Sequence, residues 1–76
     1  MIHEKVILKK VGKRLRELRI QAGYSSYEDF AFTNEINRVQ YWRLEKGESN
    51  FTIRSLITIL NIHKLTLSEF FNDIGI

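Results

Sequence analysis

Apolar residues recur along the first third of the chain at intervals of three and four positions, which is the repeat of an amphipathic α-helix. We expect a first helix over about residues 4–22, ending before Gly23, because glycine readily adopts the positive φ of a helix C-terminus. Gly12 costs helix propensity inside this segment and would allow another helix to cross closely there. The buried stripe of this helix contains Ile7, Val11, Leu15 and Leu18.

Four further helices are predicted, each beginning after a side chain that can accept a hydrogen bond from the first turn. The second covers about residues 27–32 and the third about 37–46, where Gly47 ends it; the fourth and fifth begin after residues 52 and 66. The capping residues are Ser26, Asn37, Thr52 and Thr66, with capping-box partners expected at Asp29, Gln40 and Glu69.

The turn between the second and third helices covers residues 33–36, where Asn34 can take the left-handed conformation and Ile36 reaches the core. No segment has a convincing period-2 alternation, so we expect an all-α protein of five helices forming a single domain over residues 1–76. The inward positions of the second, third and fourth helices are Phe30 and Ala31; Tyr41 and Leu44; and Ile53, Leu56, Ile57 and Leu60, widened by Ile59 and Ile62. The apolar positions of the fifth helix are Leu67, Phe70, Phe71 and Ile74.

The outward side of the third helix has an unusual composition for a surface exposed only to water. It combines three cations, no acid and two apolar side chains, whereas a solvated helix usually mixes charges of both signs. This pattern is typical of a surface that contacts a large anionic partner. The five residues are Arg38, Val39, Trp42, Arg43 and Lys46.

The cations are concentrated in the N-terminal half of the chain. The net charge is +3, but seven cations stand against the single acid Glu17 between residues 5 and 19. Such a distribution suggests one face for an anionic polymer and another for a different partner. The lysines that we expect to supply phosphate contacts are Lys9, Lys10, Lys13 and Lys46.

The composition also argues against several classes of protein. A hydrophobic fraction of 43% favours a packed core, and the absence of cysteine excludes disulfides and thiolate metal sites. No apolar stretch approaches the ~18 residues of a membrane span, and no signal-peptide pattern is evident, so we expect a cytoplasmic protein. His3 and His63 lie far apart without metal-ligand spacing, and there is no glycine-rich phosphate loop. We therefore expect neither an enzyme nor a cofactor.

Taken in order, these segments resemble the phage-repressor-like helix-turn-helix domains (Cro and lambda repressor, also called the XRE family) over about residues 11–71. The resemblance implies a compact five-helix lambda-repressor-like domain whose second and third helices form the helix-turn-helix, with the third in the DNA major groove. Its landmarks are Val11 to Arg19, Gly23, Phe30-Ala31, Ile36, Asn37-Arg38, Arg43 to Gly47, Asn50 to Thr52, and Leu65 to Phe71.

The resemblance also assigns roles to individual positions. By position, Arg38, Val39 and Arg43 would contact bases. We expect Trp42 to join them, because it lies on the same outward face. Contacts to the DNA backbone would come from Tyr27, which stands where the family has a glutamine, and from Lys46 and Gly47. We also expect backbone contacts from Asn37, Gln40 and Lys13. Arg19 and Glu45 would form a structural ion pair between the first and third helices, and members of the family usually bind as dimers. The last helix has more apolar residues than a short helix needs to bury, so we expect Phe70, Phe71 and Ile74 either to form the interface of a homodimer or to complete the core.

The chemistry of the outward residues agrees with these roles. Arg38 and Arg43 can each donate two hydrogen bonds to guanine, and Val39 offers a methyl surface to thymine. Trp42 can pack on a sugar or a thymine methyl, or fold back onto the second helix. Tyr27 can donate its hydroxyl to a phosphate.

The sequence therefore predicts a sequence-specific DNA-binding transcriptional regulator that acts at an operator, for example as a repressor. A Cro-like regulator, a restriction-modification controller and an antitoxin all fit. The alternative is a protein-interaction module, or an antitoxin-type partner-binding protein, in which Trp42 and Val39 form an apolar hot spot. Sequence-independent RNA binding is a third and weaker possibility, because no aromatic stacking platform is evident.

Overall fold

Five α-helices follow one another in the computed structural model, which describes residues 3–48 and 50–76 of the protein. No strand occurs within these described residues, so the predicted all-helical class is confirmed. The helices are α1 (Glu4–Gln21), α2 (Tyr27–Thr33), α3 (Arg38–Glu45), α4 (Ile53–Ile62) and α5 (Leu67–Asp73). None of these helices is long and apolar enough to cross a membrane.

The four predicted capping residues all accept hydrogen bonds from the first turn of the helix that follows. Ser26 accepts from two backbone amides, and the other three each accept from the amide three residues on, at 3.0 Å. Only the box of α5 is reciprocal, because the Glu69 carboxylate also accepts from the Thr66 amide at 2.9 Å. The boxes predicted at Asp29 and Gln40 are wrong: the Asp29 side chain is one methylene shorter than glutamate, and Gln40 instead lines a groove beside α4.

The core lies where α1, α3 and α4 meet α2 and α5. Gly12 marks the crossing of α1 and α3, since a Cβ built there would lie 2.5 Å from the carbonyl oxygens of both Leu44 and Glu45. The predicted close approach of another helix at Gly12 is therefore confirmed. The buried apolar side chains are Val11, Leu15, Leu18, Phe30, Ala31, Tyr41, Leu44, Leu56, Ile59, Leu60 and Phe70.

The turn between α2 and α3 differs from the prediction by one residue. Asn34 has φ −100°, and its side-chain amide donates to the Phe30 carbonyl at 2.9 Å, so it closes the end of α2. Glu35 then takes the left-handed conformation, with φ 57°. Gly23 and Gly47 both have positive φ, as predicted for helix ends.

The outer helices expose residues that the pattern assigned to the core. Ile53 and Ile57 are 55% and 39% exposed. Leu56 lies at the centre of the stripe that the other helices cover, and the two isoleucines lie about 60–100° around the axis of α4 from it. Ile59, expected only at the margin, is buried. The prediction of Phe70 as a dimer contact is wrong, since its side chain is fully buried within its own chain. Phe71 and Ile74 are half-buried against the core.

Candidate functional site

The position of α3 is set from its inner side by an ion pair with α1. The Arg19 guanidinium donates from Nε and Nη2 to the two carboxylate oxygens of Glu45, at 2.8 Å and 3.1 Å, and from Nη1 to the carbonyl of Tyr24 at 2.8 Å. Both charged side chains are less than a tenth exposed. Hydrogen bonding to Glu45 raises the pKa of Arg19. The ion pair that the resemblance implied is therefore present.

The C-terminal end of α3 is held against α1 by a second contact. Gly12 admits the backbone of α3, and the Lys9 ammonium donates to the carbonyl of Lys46 at 2.8 Å. A cation at this position also interacts favourably with the negative end of the helix dipole. Lys9, expected to contact phosphate, thus binds the protein's own backbone.

The inner face of α3 packs into the core and fixes the rotation of the helix. Tyr41 is fully buried with its ring centroid 4.9 Å from that of Phe30, and Leu44 is buried one turn on. Burial raises the pKa of the Tyr41 phenol well above its usual value. The predicted division of α3 into an inner and an outer face is confirmed.

All five residues of the predicted outward surface are exposed, and we call them the α3 outer face. It consists of Arg38, Val39, Trp42, Arg43 and Lys46. Val39 is 57% exposed and Trp42 is 37% exposed. No acidic side chain belongs to this face. A rigid helix therefore presents three cations and two apolar side chains together.

Trp42 lies between α2 and solvent. From the sequence we considered either an outward position or one folded back onto the second helix, and the ring combines the two. Its ring is 6.0 Å from that of the half-buried Tyr27, with an angle of 38° between the ring planes. The Lys46 ammonium lies over the indole, 4.3 Å from its centroid. Tyr27, Trp42 and Lys46 thus form one cluster at the junction of α2 and α3.

The other predicted backbone-contacting residues lie at separate places on the protein. Asn37 is the N-cap of α3, Gly47 follows its C-terminus, and Gln40 lines the groove beside α4. Lys13 instead lines a shallow depression that includes Asp73 and Ile74 of α5. Its contact with DNA stays a prediction.

Sequence reasoning missed a groove between α3 and α4 with a volume of 580 Å³. Arg54 of α4 joins Gln40 and Arg43 of α3 along this groove, together with the hydroxyl-bearing residues Thr52 and Ser55. In the sequence, the sign of this groove is Arg54, a single cation two residues after the capping residue Thr52. Arg54 and Arg43 lie eleven residues apart in the chain, so only the fold shows that they line the same groove.

Within residues 3–48 and 50–76, no three metal-ligating side chains come together. Comparisons with protein-family models, with curated proteins and with solved structures give no match to this chain. Its function therefore has to be inferred from the residues of the α3 outer face and from the elements that hold them.

Proposed function

We propose that this protein is a sequence-specific DNA-binding transcriptional regulator in which α2 and α3 form a helix-turn-helix. Helix α3 would lie in the major groove of an operator, where bound protein would occlude or recruit polymerase. The observation that carries this proposal is the α3 outer face, which presents three exposed cations and two exposed apolar side chains, with no acid on this side of the helix. B-DNA offers a phosphate backbone for such cations and base edges for the remaining groups.

Base recognition would depend on the two arginines. Arg38 and Arg43 are both exposed, and neither is used by the ion pairs found among the described residues. A guanidinium can donate two hydrogen bonds to O6 and N7 of guanine, and each good pair contributes ~1–3 kcal/mol of discrimination against the wrong base. Because an inner ion pair and a buried tyrosine hold α3, these side chains start from a fixed helix and lose little backbone entropy on binding.

Backbone contacts would come from the margins of the same face. Lys46 lies at the end of α3, and Tyr27 lies at the first turn of α2 with its side chain partly exposed. Arg54, across the groove from Arg43, extends the cationic surface onto α4. Such contacts position the protein on DNA without reading its sequence.

We propose that a second copy of the chain packs against the exposed apolar residues of α4. A module of this size gives limited affinity alone, and two-fold dimers on paired half-sites are the usual solution. Ile53 and Ile57 lie on α4 outside the covered stripe, and Phe71 and Ile74 are only half-buried on α5. The homodimer would use these residues.

One observation favours a different function, a protein-interaction module. Val39 and Trp42 are exposed together, and paired apolar side chains of this kind form hot spots of protein interfaces. The charge of the α3 outer face disfavours it, since Arg38, Arg43 and Lys46 flank the pair and no residue of this face is acidic. Two acids of α2, Glu28 and Asp29, line a depression beside Arg38. An apolar protein contact would be far less sensitive to salt than a contact with phosphates.

Fluorescence titration with duplex DNA tests the proposal directly, because Trp42 is the only tryptophan in the chain. We expect DNA binding to change Trp42 emission and to weaken steeply as salt rises. Lys46→Ala should weaken binding to all sequences alike and reduce the salt slope by about one. Arg43→Ala should cost ~1–3 kcal/mol on a preferred sequence and relax the preference at one base position.

Lys64→Gln provides the matched control. It removes one positive charge from the exposed turn between α4 and α5, where we assign no DNA contact, so we expect specific binding to stay close to that of the unmodified protein. Equal losses on every sequence for Arg43→Ala and Lys46→Ala would contradict the assigned roles. Salt-independent binding, or none, would favour the protein-interaction module.

A further inference from the structure

The Trp42 ring is held at a fixed place by two neighbours from different parts of the chain. Tyr27 of α2 lies beside it at 6.0 Å, and the Lys46 ammonium covers one face at 4.3 Å from the ring centroid. The ring remains 37% exposed. A bulky side chain with neighbours on α2 and α3 cannot swing freely, so its exposed part points at one location on any partner of α3.

Val39 lies one turn before Trp42 and extends the same apolar surface. It is 57% exposed, and residues three apart on a helix are neighbours on its surface. Arg38 precedes Val39 and Arg43 follows Trp42 in the chain, so the two apolar side chains lie between the two arginines along the helix. The arginines are separated by about 7.5 Å along the helix axis, which is roughly two base-pair steps of B-DNA.

We propose that Trp42 and Val39 together recognise the 5-methyl group of a thymine that lies between the bases read by Arg38 and Arg43. This inference rests on the proposed function and names the base that the apolar part of the site selects. In the major groove, the thymine methyl is the one apolar group that distinguishes the four base pairs. An apolar surface between two guanine-reading arginines therefore selects thymine at an intermediate position.

The covered face of Trp42 argues against a different use of the ring. An unpaired base stacks on an exposed aromatic face, but the Lys46 ammonium occupies a face of this indole. Tyr27 packs at an angle of 38° rather than parallel to the ring, so the pair does not form a flat platform. The exposed remainder of the ring suits a methyl group better than a stacked base.

Replacing thymine by deoxyuridine, one position at a time in a selected duplex, tests this inference. The A·U pair keeps every hydrogen-bonding group and lacks only the methyl. Burial of one methyl corresponds to about a fourfold change in affinity, so we expect roughly fourfold weaker binding at one thymine position of each half-site. Both affinities are measured with the same protein preparation. An unfolded fraction in a variant lowers both apparent affinities by the same factor, so it does not change their ratio.

Two variants connect the methyl effect to the proposed residues. Trp42→Ala and Val39→Ala should each reduce the thymine-to-uridine ratio at that same position towards one, whereas Lys64→Gln should keep it. Sequence-specific binding without a sensitive thymine, or with a ratio that survives in both variants, would overturn this inference and leave the proposed function standing. Absence of sequence-specific DNA binding would overturn both.

Discussion

Arg19 of α1 and Glu45 of α3 form a two-pronged ion pair, with donor–acceptor distances of 2.8 Å and 3.1 Å. The third donating nitrogen of Arg19 bonds the Tyr24 carbonyl in the turn before α2. One buried guanidinium thus connects α1, the turn before α2 and the last turn of α3. The residues of the α3 outer face take no part in these bonds, so their side chains remain available for a partner.

Removal of Arg19 should destabilise the fold strongly. Arg19→Ala leaves the Glu45 carboxylate buried without its cation, which typically costs about 3–5 kcal/mol of unfolding free energy. Arg19→Lys keeps the charge but cannot form both bonds, so we expect an intermediate loss. Urea denaturation measures each value.

Arg16→Ala is the matched control, because Arg16 is an exposed cation of the same helix. It should change the unfolding free energy by less than ~0.5 kcal/mol. Equal losses for the two alanine variants would contradict the structural role of Arg19.

Gly12→Ala should also destabilise the protein, through a different mechanism. The added methyl would lie 2.5 Å from two backbone carbonyl oxygens of α3, and backbone cannot move aside as a flexible side chain can. Overpacking of this kind costs ~1–3 kcal/mol, despite the better helix propensity of alanine. Thermal unfolding compares this variant with Gln21→Ala at an exposed position of α1. A gain in stability for Gly12→Ala would show that α1 and α3 lie further apart than described.

Stability should decrease in mild acid because of His63. This residue caps α4 with its ring stacked on Phe30 at 5.4 Å, and its Nε2 is buried without a hydrogen-bond partner among the described residues. Burial, and secondarily the Arg14 cation, lowers the pKa of His63. Asp73 of α5 forms an ion pair with Arg14 and partly offsets that cation.

The sign of the pH dependence follows from that lowered pKa. The unfolded chain takes up a proton near the ordinary pKa of about 6.5, while the folded chain resists it until lower pH. The stability contributed by neutral His63 is therefore complete above about pH 6.5 and is lost as the pH falls towards the folded pKa. His63→Phe should flatten this part of the stability curve in denaturant titrations at a series of pH values. An unchanged slope in His63→Phe would contradict the account.

The exposed isoleucines of α4 give a prediction about the oligomeric state. If a second copy covers α4, Ile53→Ser and Ile57→Ser should each weaken self-association, because a buried isoleucine contributes ~1.5–3 kcal/mol. Sedimentation equilibrium at tens of micromolar, with and without operator DNA, measures the dissociation constant. Val6→Ser is the control, an exposed apolar residue on α1. A monomer under both conditions would exclude the homodimer.

The fold was largely predictable because local signals along the chain agree with one another. Capping residues mark the starts of four helices, and the glycines at 12, 23 and 47 lie where the backbone needs them. The inner and outer faces of α3 followed from helical periodicity alone. The caps, the helix ends and the faces of α3 depend on residues close together in sequence, whereas Gly12 meets the distant residues Leu44 and Glu45 of α3.

The errors occurred where the outcome depends on distant elements. Periodicity assigned Ile53 and Ile57 to the core, but the area that other helices cover on α4 is narrower than its apolar stripe. The excess of apolar residues in the last helix likewise suggested Phe70 as a dimer contact, although the core encloses this ring completely. The pairing of Arg54 with Arg43 across a groove, and of Tyr27 with Trp42, likewise depends on packing between helices.

Selection from a random duplex library at moderate salt, followed by sequencing of the bound DNA, tests the central proposal most directly. We expect a two-fold-related motif with half-sites centred ~34–36 Å apart, each containing guanines that Arg38 and Arg43 read. The same selection with Arg43→Ala should lose one guanine and keep the rest of the motif. A bound pool without enrichment, from protein that is folded and soluble, would contradict sequence-specific DNA binding and make the exposed Val39 and Trp42 surface a candidate for protein contacts.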